Sequence, residues 1–197
     1  MENNIKYLEI DQVKKLLSNI KDIKYKMIFT LIYNYGLRVS ELLDLKLSDI
    51  NFENKTIAIL PLKYKVKTTR QLFPLLPESE NLIKEYLKIR PVTTSKYLVV
   101  SKIYKNKIIT YDRQSRISIF QKFQSLCIQN GIEKQFAHPH TLRHSIAFAM
   151  AGSNVDIYTA SQFLRHSSIK NTEIYYKINN QTRSDRFVTF HKGLNVC

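Results

Sequence analysis

Apolar residues recur every three or four positions along most of this 197-residue chain. The segment 9–20 is the clearest example, because its apolar side chains fall on one stripe when the segment is drawn as a helix. That stripe consists of Ile10, Val13, Leu16, Leu17 and Ile20. A helix with one apolar face must bury that face against another element. The pattern therefore predicts a mainly helical fold.

Further segments follow the same period and end at residues that stop helices. A second, more apolar helix is predicted over "KYKMIFTLIYNY" up to Gly36, and a short one over "LRVSELLDL". The period returns in "ESENLIKEYLKIR" before Pro91 and in residues 112–130 before Gly131. Three short helices are predicted after that, over "PHTLRHSIAFAMAG", "DIYTASQFLRH" and "SIKNTEIYYKI".

One region has the period of a sheet instead. The runs "TIAIL" and "RQLFPL" are β-branched or alternating, and they flank the basic connection "PLKYKVKTT". They predict an antiparallel hairpin with a lysine-rich tip and a third strand nearby, while "KYLVV" fits either a short strand or an extended edge. No internal linker divides the chain. The predicted fold class is mainly α with a small antiparallel β-sheet (α+β).

The charge indicates the kind of partner. Thirty-one Lys and Arg residues against sixteen Asp and Glu give a formal net charge of +15, which is typical of proteins that bind nucleic acid. An acidic membrane would attract the same charge, but no stretch approaches the roughly 18 apolar residues of a spanning helix. Without an apolar signal core at the N-terminus, the expected location is cytoplasmic. Cys127 and Cys197 are too few for a disulfide framework.

The stretch "HPHTLRHS" concentrates histidines and an arginine where either a metal or a phosphate could bind. With Pro139 opening a helix, His140 and Arg143 would face an anion at the helix N-terminus. A metal needs several converging ligands, yet only His140 and His144 are spaced i, i+4, and no acidic or cysteine partner is nearby. A phosphate-binding site is therefore favoured over a metal site. The alternative is a basic helix N-terminus that is simply exposed to solvent.

Three boxes carry a resemblance to a known family. In this order and at these spacings, "GLRVSELLDL", "HTLRH" and "FLRHSSIKNTEIYY" resemble the catalytic domain of the tyrosine recombinases and phage integrases. The resemblance implies a catalytic set on the matching positions, which are Arg38, Glu41, Lys67, His140, Arg143, His166 and the nucleophile Tyr175. Lys67 lies on the predicted hairpin, where Lys65 is the alternative. Taken singly, each residue would pass for an ordinary surface or core side chain.

These residue types suit attack on a phosphodiester. Arg38 and Arg143 would clamp the charge on the nonbridging oxygens, and His140 and His166 would donate further hydrogen bonds. His140 could also move the tyrosine proton, and the lysine would protonate the leaving 5′ oxygen. Attack by Tyr175 would leave a covalent 3′-phosphotyrosyl enzyme. The resemblance implies no metal and no cofactor.

The implied function is site-specific recombination of double-stranded DNA through Holliday-junction strand exchange, for integration, excision or inversion. Two alternatives stay open: a catalytically inactive accessory DNA-binding protein of the same fold, and a DNA-relaxing enzyme like the type IB topoisomerases. The family further implies a homo-oligomer on DNA, a tetramer in the synaptic complex. A membrane partner is not expected.

The resemblance also divides the chain. Residues 1–178 match the catalytic domain, and residues 179–197 are expected to form a tail that packs on a neighbouring protomer. No counterpart is expected for the N-terminal core-binding domain that commonly precedes the catalytic domain. The chain resembles the catalytic domain of the Xer-type recombinases, and also the short family members that consist of this domain only, such as the fimbrial-phase invertases.

Several further residues are expected to contact DNA. A helix over 112–130 would present Arg113, Gln114 and Arg116 to a groove, and Lys65 would contribute from the hairpin. The family's usual "LGH" is "LRH" in this chain, so Arg165 stands in place of a glycine. There it would add a phosphate contact or strain a turn.

Overall fold

The computed structural model describes residues 5–62, 69–105, 108–153 and 155–178. The helices are α1 Ile10–Asn19, α2 Ile23–Asn34, α3 Val39–Leu43, α4 Pro77–Ile89, α5 Arg116–Gln129, α6 Pro139–Gly152, α7 Ile157–Phe163 and α8 Lys170–Ile178, with 3₁₀ turns at Leu47–Asp49 and Lys134–Phe136. The strands are β1 Ile50–Asn51, β2 Thr56–Ile59, β3 Gln71–Pro74, β4 Val100–Lys105 and β5 Ile108–Arg113. The predicted class, mainly α with small antiparallel sheets, is confirmed.

Helix α2 lies at the centre of the main core. Asp22 caps its first turn by accepting hydrogen bonds from the amides of Lys24 and Tyr25. The run from Met27 to Ile32 is buried, so this helix contacts neighbours on several sides and packs against both α4 and α6. This explains why its sequence is apolar almost all round, whereas α1 has a single stripe. None of the helices in the described ranges is long and apolar enough to cross a membrane.

The predicted hairpin is present as an antiparallel pair. Strands β2 and β3 pair with Ile57 opposite Phe73, and β1 adds the third strand on the other edge of β2. Ile57 and Ile59 point into the core while the alternate residues do not, as the period of two requires. The lysine-rich tip, residues 63–68, lies outside the described residues.

A second hairpin replaces the start of the helix expected over 112–130. Strand β5 pairs with β4 along its whole length, and α5 begins only at Arg116, after Ser115 caps the amide of Ser118. The helix prediction was wrong over this first part, so Arg113 lies at the end of a strand. The physical reason is that β5 is exposed over most of its length. A strand without a buried face has no alternating apolar pattern to reveal it.

A smaller apolar cluster holds the C-terminal helices together. Ala147, Phe148 and Ala151 of α6 pack with Leu164 and with Tyr175 of α8. The N-terminal segment covers this cluster, since the ring of Tyr7 stacks on Phe148 with centroids 3.9 Å apart. Helix α8 therefore packs against α6 in a fixed position, and this packing positions Tyr175.

Gly36 allows the turn between α2 and α3 to pass close to the segment after α7. Its φ is +54°, and a Cβ added there would lie 2.9 Å from Leu164 Cδ2 and 3.2 Å from Phe163 Cε1. Gly131 also has a positive φ, +72°, but a Cβ there would have no neighbour within 4 Å. Both positions therefore have a left-handed backbone, but only Gly36 is also closely packed.

We expect Gly36→Ala to lower the free energy of unfolding by more than Gly131→Ala does. The left-handed conformation alone costs a non-glycine residue about 1–2 kcal/mol, so both variants should lose that much. Gly36→Ala should lower the free energy of unfolding by about 1 kcal/mol more, because the new methyl group displaces Leu164. Urea denaturation followed by circular dichroism measures both losses. Equal losses would contradict the close approach at Gly36.

Candidate active site

Glu41 is a buried carboxylate at the start of α3. Glu41 is 1% exposed, so its ion pair with Arg38 is not an ordinary surface pair. Glu41 Oε2 accepts a hydrogen bond from the backbone amide of Arg38 at 2.9 Å, and Oε1 lies 2.6 Å from Arg38 Nη1. The "LRVSE" sequence thus folds so that Glu41 caps its own helix and holds Arg38 in place.

Arg143 reaches the same carboxylate from α6. Its side chain is 2% exposed, and its Nη1 lies 3.7 Å from Glu41 Oε2. The guanidinium also donates hydrogen bonds to the carbonyl oxygens of Gly36 and Leu164. Helix α6 opens with Pro139 at its first position, as the sequence predicted, so Arg143 comes one turn into the helix.

Arg165 is the third guanidinium on Glu41. Its Nη2 lies 3.2 Å from Glu41 Oε2 and donates at 2.9 Å to the carbonyl oxygens of Tyr35 and Gly36. The residue is 2% exposed, so its side chain faces the interior. The expected phosphate contact of Arg165 is therefore not available in this conformation. The alternative expectation, a strained turn, agrees with its φ of +53°.

The charges in this cluster do not cancel. Burial by itself raises the pKa of Glu41, but Arg165, the Arg38 amide and Arg143 outweigh it, so the pKa lies below its ordinary value. Burial, and next the charge of Arg38, lower the pKa of Arg143 to about 9, which leaves it protonated at neutral pH. One carboxylate therefore faces three guanidinium groups, and the site attracts an anion.

Two histidines beside the cluster are neutral at pH 7. Burial is the main cause in each: it lowers the pKa of His140 to about 4, helped by His144 and Arg143, and that of His166 to about 3, helped by Arg143 and Arg38. His166 is oriented by Thr172, whose Oγ1 lies 2.8 Å from its Nδ1. Neutral imidazoles can donate a hydrogen bond from one ring nitrogen.

Tyr175 and Tyr176 point in different directions from α8. Tyr175 is 3% exposed, and its hydroxyl lies 2.8 Å from His144 Nδ1. Its ring is nearly parallel to that of His166, with centroids 6.5 Å apart. Tyr176 instead donates to the carbonyl oxygen of Val155 at 2.9 Å. Of the two neighbours, only Tyr175 points into the arginine and histidine cluster.

An open groove of about 510 Å³ runs beside the cluster. Its lining includes Arg38, Arg116, Phe120 and His140, so the N-termini of α3, α5 and α6 face the same space. Among the expected DNA contacts, Arg116 lies in this groove. Arg113 instead pairs with Asp44 at 2.8 Å and keeps a side-chain exposure of 32%.

Gln114 does not line the groove. It is 2% exposed and donates to Tyr25 and Ser118, because residues 108–113 form a strand and turn it inward. A buried amide cannot read a DNA base from this position. Lys65 and Lys67 lie outside the described residues.

The structure brings together Arg38, Glu41, His140, Arg143, His166 and Tyr175, which come from three separate boxes of the sequence. It adds His144, which the sequence pattern offered only as one of a pair of metal ligands. The signal for it was the i, i+4 spacing from His140, but nothing in the sequence linked it to Tyr175. In the described part of the chain, no three His, Cys, Asp or Glu side chains are grouped to hold a metal ion.

Comparison with known proteins identifies the family. The profile of the phage integrase family matches residues 6–182. The chain belongs to the phage integrase family. It is 37% identical over 176 residues to the tyrosine recombinase XerA of Pyrococcus furiosus, with 88% of the chain aligned. The chain spans 57% of the length of that relative.

Solved structures show the same fold. A crystal structure of XerA recombinase superposes with a TM-score of 0.75 at 26% identity, over 94% of this chain and 65% of that one. The XerH site-specific recombinase, in a post-cleavage complex with a palindromic difH substrate, gives a TM-score of 0.71 at 20% identity over 94% of this chain and 53% of that one. The helical bundle with its small sheets is thus the catalytic-domain fold of this family.

We expect Arg165→Met to destabilise the protein by about 3 kcal/mol, the size of effect seen when a buried ion pair loses one partner. The carbonyls of Tyr35 and Phe163 would also lose their donor. Arg116→Met is the matched control, because Arg116 is exposed in the groove, and it should change the stability by less than about 0.5 kcal/mol. Chemical denaturation of both variants tests this. Equal effects would show that the Glu41 cluster does not depend on Arg165.

Proposed function

We propose that this protein is a site-specific recombinase that cleaves and rejoins double-stranded DNA through a phosphotyrosine at Tyr175. The observation that carries the proposal is the position of Tyr175 beside the arginines that share Glu41. The relatives XerA and XerC are tyrosine recombinases, and this chain spans just over half the length of XerA.

The arginines supply the charge that the reaction needs. A phosphodiester under attack spreads negative charge over its nonbridging oxygens, and forked guanidinium donors stabilise that charge. Arg38 is suited to this contact because its side chain keeps 17% exposure beside the groove. Arg143 lies behind it and is held by two backbone carbonyls, so its charge stays in place without reorganisation.

The covalent step exchanges one phosphorus–oxygen bond for another. Oxygen Oη of Tyr175 attacks phosphorus and loses its proton, and the bond from phosphorus to the 5′ oxygen breaks. The 5′ oxygen takes a proton from a lysine of the β2–β3 connection, for which Lys67 is our choice and Lys65 the alternative. The phosphotyrosine retains the bond energy, so a 5′ hydroxyl can reverse the reaction without ATP.

The partner is double-stranded DNA, by the same proposal. The net charge of +15 favours binding along phosphates, and Arg116 lines the groove beside Arg38. XerH, which shares the fold, was solved with a DNA substrate. We further propose that protomers assemble on DNA as a tetramer at synapsis and that the protein works inside the cell. Residues 179–197, proposed to pack on a neighbouring protomer, lie outside the described residues.

Replacing the nucleophile tests the proposal directly. We expect Tyr175→Phe to bind DNA normally and form no covalent adduct, because it loses one oxygen and almost no volume. Tyr176→Phe is the control, since its hydroxyl bonds to Val155 away from the cluster, and it should keep the adduct. The assay traps the adduct on a nicked duplex in excess EDTA and maps it by mass spectrometry. An adduct on another tyrosine would refute the assignment.

The leaving-group acid can be identified by substrate chemistry. We expect Lys67→Ala to slow cleavage by about 100-fold or more, the usual contribution of a general acid. A duplex with a bridging 5′ sulfur should restore much of the rate, because a thiolate leaves without protonation. Lys65→Ala should show a small effect and no such rescue. The reverse pattern would assign the role to Lys65.

A further inference from the structure

His144 makes a contact that the family's catalytic set does not explain. Its Nδ1 lies 2.8 Å from the Tyr175 hydroxyl, which is the atom that the proposed function makes the nucleophile. No such contact joins Tyr175 to His140, the residue expected from sequence to handle the tyrosine proton. His140 lies one turn earlier on α6, with its ring 5.4 Å from that of His144.

Packing fixes the Tyr175 hydroxyl toward His144. The Tyr175 ring lies nearly parallel to His166 on one side, at an interplanar angle of 13°. The ring of Phe148 meets it at 84°, with centroids 5.2 Å apart. Phe148 stands four residues after His144, so the same face of α6 both packs the tyrosine ring and meets its hydroxyl.

The protonation states set the direction of this hydrogen bond. Burial, together with Arg143 and His138, lowers the pKa of His144 to about 4, so its ring is neutral at pH 7. Burial raises the pKa of Tyr175 despite the opposing charges of Arg143 and Arg38, so the phenol keeps its proton. A neutral phenol donates to an imidazole nitrogen that carries no proton, which places the ring proton of His144 on Nε2.

We propose that His144 is a catalytic residue that accepts the Tyr175 proton as the tyrosine attacks the phosphodiester. The proposal rests on the proposed function of Tyr175. The Oη–phosphorus bond forms, the proton moves from Oη to Nδ1 of His144, and the 5′ oxygen leaves with a proton from the lysine. On rejoining, His144 returns its proton to Tyr175. His140 and His166 then remain as hydrogen-bond donors to the phosphate.

The bound phosphate makes this transfer favourable. A DNA phosphate brings a negative charge next to a cluster that holds three arginines, and an anion nearby stabilises a protonated imidazole. The phenol becomes far more acidic as its oxygen bonds to phosphorus. His144 is therefore neutral before the reaction, and it accepts the Tyr175 proton only during attack.

His144→Asn separates proton transfer from simple positioning. The asparagine amide places a polar atom near the position of Nδ1, so it can hold the tyrosine hydroxyl, but it cannot take up a proton. We expect single-turnover adduct formation at pH 7 to fall about 100-fold or more, within the usual range for a general base. DNA affinity should stay unchanged. Tyr176→Phe is the matched control, because its hydroxyl bonds to the carbonyl oxygen of Val155 away from the cluster, and it should stay within about threefold of the wild-type rate.

A pH series gives a readout that positioning would not change. Cleavage by His144→Asn should rise about tenfold from pH 7 to 8, below the pKa of about 9 that burial gives Arg143, because only the tyrosinate attacks once the base is lost. The wild-type rate should stay nearly flat. The charged and titratable groups around His144 and Tyr175 are Arg38, Glu41, His138, His140, Arg143 and His166. Burial is the largest cause of the lowered pKa of each of these histidines, and neighbouring positive charges lower the pKa of His140 and His166 further.

The outcomes separate this proposal from the proposed function. A His144→Asn rate within about fivefold of wild type at pH 7, while Tyr175→Phe forms no adduct, would overturn the role of His144 alone. An adduct in Tyr175→Phe would overturn the nucleophile itself. A 5′-sulfur substrate should not rescue His144→Asn, and rescue would assign His144 to the leaving group. If His144→Asn does not fold, His144→Gln provides the same comparison, since it also lacks a basic nitrogen.

Discussion

The buried carboxylate of Glu41 is the interaction on which the site depends. It joins Arg38 at the start of α3, Arg143 on α6 and Arg165 after α7, so three segments distant in sequence meet on one side chain. Without it, three guanidinium groups would be buried close together with nothing to offset their repulsion. The backbone carbonyls of Tyr35, Gly36 and Leu164 satisfy the remaining donors. The cluster is thus stable and still has an excess of positive charge.

This arrangement links stability to function. The same contacts that bring α3 and α6 together also hold the arginines where an attacked phosphate would need them. On the other side, the small apolar cluster of α6 and α8 seats Tyr175, and the N-terminal segment closes it through the stacking of Tyr7 on Phe148. In the proposed reaction, a tyrosine whose ring packs against His166 and Phe148 loses little freedom on attack, which favours reaction.

Much of the fold could be predicted from the period of the apolar residues. The helices with a buried face were found because burial leaves a pattern, and so was the β2–β3 hairpin, in which Ile57 and Ile59 face the core. The β4–β5 hairpin was missed, since exposed strands leave no such pattern. The wrong helix start then misplaced Gln114, which is buried beside Tyr25. Errors of this kind arise where a segment is held by hydrogen bonds and not by an apolar face.

The sequence by itself determined the residue types and their order: the boxes around Arg38, Arg143 and Tyr175 predict an anion site with a tyrosine, whatever the details of packing. Only the tertiary structure decided which side chains meet. Arg165 turns inward, where its guanidinium reaches the buried carboxylate of Glu41 and the carbonyl oxygens of Tyr35 and Gly36 from a left-handed backbone. His144, not His140, reaches Tyr175, because the packing of Phe148 against α8 sets the rotation of that helix relative to α6. Contacts between helices far apart in the chain depend on that rotation, which no local pattern encodes.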